Sequence, residues 1–515
     1  MSGTIGPRTD RPMLMQWQVT AGDTITLYGQ ETGTPTYDYD VDWGDGTSET
    51  SVTINDKTHT YSSTGTYLVR IYGTFAGLKM WRSPSDNQNK LVKFIQWGSV
   101  AIQGVFRCFA GCDNLLYEAT DGPNISGGLP ASAACNEVFR DCGSITSVDL
   151  SNWKDTEQFT ALYRIVYRCD NVETINISNW KVNVNFPNNV IVENGASTPS
   201  GSDIIMRDVT FTGTKWSGDR FFYSNKIKSI DVSNWIIDCP NPGVGIDGYQ
   251  LSFYEDNTSP LQLTLDLSSW QWNNWYPTGW IRAFSSNGMS SINIQNIPFD
   301  NLGVFNNYSS EFFRGSSNAS VLTTIIGLDE FKSTGDLSRL LSGCDIFKFG
   351  SFGSNTNFNR SSQPSGLDYA FFDVGSRTTG VGGPNINNWD LSTCTTMRST
   401  FWESNFDNWP DITTWDVSNV TNFQECFRDA ANFDQDLSGW DISSATNMAN
   451  MFLGITLSTA NYDAILIGWE SLPTPPSGIT ISFGSSQYTG GGAAETARAN
   501  LISTYGWTIT DGGVA

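Results

Sequence analysis

Histidine is almost missing from this sequence: His59 is the single one in 515 residues. Nucleophilic triads and general-base catalysis lean on histidine more than on any other side chain, so His59, which sits in a strand motif, reads as structural rather than catalytic, and histidine-rich metal sites, which need several, are excluded. Positive charge is also scarce, with 29 Lys plus Arg against 52 Asp plus Glu and a net charge of -23. A field of that sign disfavours nucleic acid and anionic membrane surfaces. The basic residues are scattered, without a Lys/Arg run that would override it locally. No apolar run approaches the ~18 residues of a membrane-spanning helix. The opening MSGTIGPRTDRPML lacks the apolar core of a secretory signal. The nine cysteines are odd in number and form no paired CxxC pattern. Several recur at equivalent places in repeats, which favours buried free thiols over a disulfide framework.

Charged residues make up only 16% of the chain, and Gly, Ser, Thr, Asn and aromatic residues fill the difference, a β-rich and turn-rich composition. From Met15 to Phe75 short alternating apolar runs predict strands: Met15, Trp17 and Val19; Ile25 and Leu27; Tyr37, Tyr39, Val41 and Trp43; and Gly65 to Tyr72. The stretch DVDWGDGT, followed by His59-Thr60-Tyr61 and Gly65-Thr66-Tyr67, resembles the polycystic-kidney-disease (PKD) family of immunoglobulin-like domains. That resemblance implies a small β-sandwich acting as a spacer or interaction module.

Beyond it the sequence repeats. NNWDLSTCTTMRSTF, TTWDVSNVTNFQECF and SGWDISSATNMANMF align in four columns: Trp389, Trp415 and Trp440; Leu391, Val417 and Ile442; Met397, Phe423 and Met448; Phe401, Phe427 and Phe452. Earlier copies end at Trp153, Trp180, Trp235 and Trp270. One such coil cannot bury its apolar edge alone, so coils must stack into a solenoid with a shared core. Each coil is predicted to supply one short strand and one helical or irregular turn carrying the Met/Phe columns. Even division of residues 76–452 gives about 14 coils, which at ~4.8 Å each predicts an elongated rod. The run Trp415 to Phe423, WDVSNVTNF, resembles the BspA type of leucine-rich-repeat-like proteins. Proteins with that repeat occur on surfaces of bacteria and protozoa and in bacteriophage virions.

The predicted fold class is therefore mainly β: a PKD/Ig-like β-sandwich, an elongated leucine-rich-repeat-like solenoid and an α+β C-terminal cap. The predicted domains are an N-terminal arm (1–14), the sandwich (15–75), the solenoid (76–452, irregular over 271–385) and the cap (453–515). In the cap, Ser458-Thr459 opens a helix with Tyr462, Ile465, Leu466 and Trp469 on one face. Residues 479–483 and 507–510 read as strands and 493–504 as a second helix.

Asp149, Asp231, Asp266, Asp390, Asp416 and Asp441 recur beside the strand, where a carboxylate serves backbone donors of a turn rather than catalysis. Asp38, Asp40 and Asp42 share one strand face and offer either a calcium site or a solvated surface. The column tryptophans belong to the core. Trp272, Trp275, Tyr276, Trp280, Trp402 and Trp409 escape the period, so they either stack on a ligand or pack a loop.

The sequence thus predicts a non-enzymatic protein without cofactor, on the surface of a bacteriophage virion, where an absent export signal is no obstacle. Its partners would be other virion proteins through the N-terminal region, host-surface glycan or protein, and copies of itself. A bacterial surface adhesin is the competitor. A polysaccharide-cleaving enzyme would require paired carboxylates outside the repeat columns.

Overall fold

The computed structural model describes residues 5, 8–29, 35–125, 134–159, 161–183, 192–193, 201–212, 227–238, 263–273, 289–293, 324–326, 366–374, 386–387 and 389–515. The chain is mainly β, with a β-solenoid of about 10 turns. It divides into two compact units, residues 1–242, 253–263 and 269–275 in the first and 243–252, 264–268 and 276–515 in the second. Among the described residues no helix is long and apolar enough to cross a membrane.

The first unit opens with six strands: β1 (Met13–Val19), β2 (Thr24–Leu27), β3 (Tyr37–Asp42), β4 (Ser48–Val52), β5 (Lys57–Thr60) and β6 (Gly65–Phe75). Alternation along β1 puts Met13, Met15, Trp17 and Val19 inside. The residues of the WGDG turn and the His-Thr-Tyr stretch hold one another. Trp43 N–H donates to the Thr47 carbonyl at 3.1 Å, and the His59 ring lies flat on Trp43 at 4.7 Å. His59 Nε2 meets Asp45 Oδ2 at 2.8 Å, and the Tyr61 hydroxyl donates to the Trp43 carbonyl at 3.0 Å.

Partial burial works to raise the Asp45 pKa, but hydrogen bonds from Thr47 and His59 outweigh it and hold the carboxyl below its ordinary value. The unfolded chain therefore takes the proton more readily. This contribution to stability is complete above the ordinary carboxylate pKa near ~4 and is lost as pH falls through the lower native value. Acid titration followed by tryptophan fluorescence is expected to show an early loosening around Trp43 that Asp45→Asn removes. An unchanged acid limb in that variant would contradict the assignment.

The sheet built on these strands does not stop at residue 75. β1 pairs antiparallel with both β6 and β7 (Leu91–Gln96), which follows the short helix α1 (Ser85–Lys90), while β6 also takes β8 (Ala101–Ile102) in parallel at Thr74. β1 begins at Met13, within the last residues of the stretch read as the N-terminal arm. Just before it, Arg8 reaches Asp40 at 2.8 Å, and the Arg11 carbonyl accepts from Ser99 N–H at 2.8 Å. Strands β1, β3, β4 and β6 and the first coil strands are one sheet because β1 offers both of its edges, while β2 and β5 pair with each other apart from it.

From there parallel ladders take over. Ile175 pairs in register with Ile204, and Ile204 with Ile230, so the 55 residues from Trp180 to Trp235 do hold two coils. A second ladder runs Val182, Phe211, Ile237 and Trp272. The interval from Ile237 to Trp272 is longer than a regular coil, and such insertions help bring the number of turns to about 10 rather than 14. The column tryptophans are buried, and in pairs such as Trp153–Trp180 and Trp235–Trp270 they stack face to face at 5.8 and 4.6 Å.

Four of these indoles also bond to one carbonyl position of the coil before. Trp180 Nε1–H donates to the Leu150 carbonyl at 2.8 Å and Trp270 to Val232 at 2.8 Å. In the second unit Trp415 donates to Ile386 at 3.1 Å and Trp440 to Ile412 at 2.9 Å. The acceptor in all four is the residue three before the preceding column tryptophan, which explains why the indole recurs and a phenyl ring does not replace it. The column aspartates serve turn donors as predicted. Asp149, Asp231, Asp266, Asp390, Asp416 and Asp441 accept from the backbone N–H two residues on at 2.9 to 3.1 Å.

The Met/Phe segment is neither helix nor irregular loop. It is a run of tight turns in which alternate residues pair inward and outward along the stack. Phe423, Glu425, Phe427 and Asp429 donate N–H to the carbonyls of Asn447, Ala449, Met451 and Leu453 in the next coil at 2.7 to 2.9 Å. Cys426, Arg428 and Ala430 donate back within the turn, to residues three earlier. The phenylalanines then stack in one line: Phe371, Phe401, Phe427, Phe452 and Phe483 follow at 5.2 to 5.5 Å, tilted by 12° or less. Leu367–Val374 is thus a further copy, inside the stretch predicted as irregular.

All seven described cysteines are free and buried; Cys239 and Cys344 lie outside the described residues. Cys142 and Cys169 occupy one column and point Sγ at the carbonyls of Phe109 and Phe139 in the preceding coil. Burial pushes the Cys108 thiol up to about 12 and those of Cys112, Cys135, Cys142 and Cys426 upward as well. A thiolate is the reactive form, so alkylation at pH 8 is expected to leave these five untouched until denaturant unfolds the chain. Peptide mass spectrometry checks this; labelling of Cys142 in the native protein would contradict the packing.

After the last tryptophan repeat, α2 (Thr459–Glu470) starts at Ser458, whose hydroxyl accepts from Asn461 N–H, and buries Tyr462, Ile465, Leu466 and Trp469. Strand Thr480–Ser482, helix α3 (Ala493–Ser503) and strand Thr508–Thr510 follow. The stack continues through them. Ile481 bridges Met448, Thr480–Ser482 pairs in parallel with Thr508–Thr510, and the Trp469 indole donates to the Leu437 carbonyl at 3.0 Å. The sequence period breaks because a helix has replaced the return segment, while the coil itself persists.

Candidate functional site

The tight turns create the candidate site. Two residues per turn, four apart, sit in the left-handed region: Glu137 and Asp141, Arg164 and Arg168, Tyr369 and Asp373, Ser399 and Glu403, Glu425 and Asp429. Their φ values lie between +48° and +58°, which costs an L-residue roughly 1–2 kcal/mol and persists because the coil-to-coil hydrogen bonds fix the backbone. The geometry turns the phenylalanines inward, and the residues between them alternate onto the outer surface. Neighbouring coils therefore align these outer residues in columns.

In the first unit the columns carry arginine and aromatic rings. Phe106 and Tyr163 flank Asn136; Arg107, Glu137 and Arg164 form the next column; Arg140 and Tyr167 share another; Asp141 and Arg168 a fourth. The guanidinium of Arg107 lies 4.9 Å from the centre of Phe106 and 5.3 Å from that of Trp81. Arg164 lies over Tyr163 at 4.6 Å and Tyr167 at 4.7 Å, and Arg140 and Arg168 cover Tyr167 at 5.4 and 5.0 Å. At the centre Glu137, with 7% of its side chain exposed, receives Arg107 at 2.7 Å and Arg140 at 2.9 Å. Burial opposes ionisation of Glu137, and the two guanidinium groups reverse that and hold its carboxyl below its ordinary value.

In the second unit the same columns carry Tyr369, Phe372 and Trp402, with Arg428 4.7 Å above the Trp402 ring and Arg398 5.3 Å from Tyr369. Asp373, Glu403 and Asp429 form the acidic column beside them. Partial desolvation, then the charges of Asp373 and Asp429, raise the Glu403 pKa.

Of the aromatic residues singled out in the sequence, Trp402 lies on this outer surface, half-buried. Trp409 packs a loop: its ring meets Phe406 at 4.8 Å and Phe433 at 4.9 Å edge-on, and its indole N–H donates to the Ala431 carbonyl at 3.0 Å. Trp272 supplies backbone to the ladder opposite Ile237. Trp275, Tyr276 and Trp280 lie outside the described residues.

Asp38, Asp40 and Asp42 do share the outer face of β3, but Asp40 pairs with Arg8 at 2.8 Å and Asp42 with Arg70 at 3.1 Å. Among the described residues no group of three or more His, Cys, Asp and Glu is placed to hold a metal ion. His59 is committed to Asp45 and Trp43 in the N-terminal turn.

The arginine columns are not apparent in the sequence because their neighbouring members are 26 to 30 residues apart and no local window contains them. Alignment of FRDC at Phe139 with FRDA at Phe427 carries the signal.

A family model described as "Mycoplasma protein of unknown function, DUF285" matches residues 367–466, from the first residue of the Phe371 turn into α2. No curated protein and no solved structure matches the chain. The chain is thus a solenoid repeat protein, similar over less than half its length to that Mycoplasma repeat family.

Proposed function

We propose that the chain is a non-enzymatic attachment protein on the surface of a bacteriophage virion, holding host-surface glycan or protein against the outward columns of its turns. The observation that supports this is the division within each turn. The inward columns are mostly apolar and stacked, with the small hydroxyls of Thr400 and Ser404 bonded to the Leu367 and Phe371 carbonyls, whereas the outward ones mix rings with charge, as in Arg164 over Tyr163 and Arg428 over Trp402. Aromatic and arginine side chains are the commonest anchors of binding surfaces. A non-enzymatic reading is supported by the repeated aspartates, each occupied with a turn N–H, and by the engagement of the lone histidine.

In this reading the N-terminal strands are a PKD-like module, the coils are of the BspA type, and α2 and α3 cap the stack. The N-terminal region docks to other virion proteins, and the chain works as a homo-oligomer. A second reading, a bacterial cell-surface adhesin, is favoured by the likeness to a family described from Mycoplasma, a cellular organism. Antibody detection in gradient-purified virions and in envelope fractions of the host separates them. Recovery with virions supports the first reading, and recovery with envelopes alone replaces it with the second.

A further inference from the structure

The chain carries 23 more negative than positive charges, yet the outward columns of three successive turns in the first unit reverse that balance. They hold Arg107, Arg140, Arg164 and Arg168 with Glu137 and Asp141, and the next coil adds Glu193 in register with Tyr167. Glu137 is spent between Arg107 and Arg140, and Asp141 is in contact with Arg140 at 3.0 Å. Arg168 is exposed beside Tyr167. Trp81, 43% exposed, extends the aromatic surface on the Arg107 side.

We propose that this face binds a carboxylated polysaccharide. The proposal rests on the attachment reading above and names the ligand class for it. Planar guanidinium groups match a carboxylate with two parallel hydrogen bonds, and the rings of Trp81, Phe106, Tyr163 and Tyr167 offer apolar faces to the C–H faces of sugar rings. The coil repeat of ~4.8 Å sets rings and arginines in rows along which an extended glycan can lie. Charge density decides against nucleic acid. Duplex DNA presents one negative charge per ≈ 1.7 Å, and four arginines interrupted by Glu137 and Asp141, on a chain of this net charge, do not neutralise it. A glycan with one carboxylate per sugar or per disaccharide places its charges sparsely enough to meet the arginines and pass the carboxylates.

The test uses the full chain and three carboxylated probes of different linkage: polygalacturonate, hyaluronate and polysialic acid. Methyl-esterified polygalacturonate, single-stranded DNA and poly-glutamate serve as comparisons. Binding to at least one carboxylated glycan is expected, weakened by salt, lost on esterification, and reduced about tenfold or more in Arg164→Ser/Arg168→Ser. The unfolding midpoint of that double variant is expected to stay near that of the parent. Should the midpoint fall, Tyr167→Ser and Arg168→Glu give the same reading one residue at a time. Tighter binding of DNA or poly-glutamate, or no binding to any of the three glycans, overturns the proposal. Adsorption of the chain to host cells is measured in parallel. If adsorption persists and ignores the arginine variants, the attachment reading stands and this one fails; if the chain adsorbs to no cell, the attachment reading itself fails.

Discussion

Replacing Trp440 by alanine is expected to lower the stability of the second unit by roughly 3–5 kcal/mol. The side chain is fully buried, lying between Phe423 at 5.9 Å and Phe427 at 6.1 Å. Its indole N–H donates to the Ile412 carbonyl at 2.9 Å. Alanine removes the ring, leaves a cavity and takes one of two donors from that carbonyl, which keeps the Trp415 N–H at 3.2 Å. Trp440→Phe keeps most of the apolar volume and loses the donor, so its cost is expected to be about 1–3 kcal/mol. Coils in a solenoid stabilise their neighbours in series, so the alanine variant should also loosen the turns on either side. The measurement is denaturant unfolding, with hydrogen exchange to locate the loosening. Trp402→Ala is the control: its ring is only half-buried, on the outer surface, and a cost under about 1 kcal/mol is expected. Equal costs for Trp440 and Trp402 would refute the division between inward and outward columns.

That division marks what the sequence discloses and what it hides. Inward columns are legible because burial selects one kind of residue coil after coil: Trp389, Trp415 and Trp440 play one role, and Phe401, Phe427 and Phe452 another. The Leu367–Val374 turn is hard to see in the sequence because it retains the Leu and Phe positions and lacks the W-D-φ-S stretch that marks the other copies. The outward columns are hidden for a different reason. Solvent tolerates any polar residue there, so Ala110, Arg140 and Tyr167 occupy one column with no common chemistry, and only the backbone register reveals them as neighbours.

The left-handed residues are hidden as well. Arg, Glu, Ser and Tyr have no preference for positive φ that would announce it, and the enrichment of Asp there is too general to mark these positions; their conformation follows from the hydrogen bonds of adjacent coils. Among the aromatics that escape the period, the structure divides the described ones by a single criterion. Trp409 reaches a carbonyl and four phenylalanine rings, while Trp402 faces outward beneath Arg428. Asp38, Asp40 and Asp42 show the same dependence on context: the strand spacing places them on one face, but Arg8 and Arg70 arrive from remote parts of the sequence to pair with two of them.

The C-terminal helix offers a case in which local preference and packing predict opposite signs. Gly468 lies in the interior of α2, where alanine is favoured over glycine by roughly 1 kcal/mol. By that rule Gly468→Ala should stabilise. A Cβ at this position, however, would come to 2.5 Å from the Ser438 carbonyl oxygen, 2.7 Å from the Ser438 Cβ and 2.9 Å from its Cα. These are atoms of the turn that precedes Trp440, not the end of a flexible side chain. They cannot give way without shifting the coil that presents the Leu437 carbonyl to the Trp469 indole. The helix would have to lift off instead, and Ile465, Leu466 and Trp469 are fully buried beneath it. Overpacking of this kind costs typically 1–3 kcal/mol, occasionally more, and a contact with backbone atoms on a buried helix face belongs at the upper end. Net destabilisation of about 1–3 kcal/mol is therefore expected. Thermal unfolding of Gly468→Ala beside Gly478→Ala, where a Cβ meets nothing within 4 Å but φ is +69°, separates the effect of contact from that of backbone conformation. If Gly468→Ala raises the midpoint, the close approach of α2 to the Ser438 turn is wrong, and with it the continuation of the tryptophan ladder into the last coil.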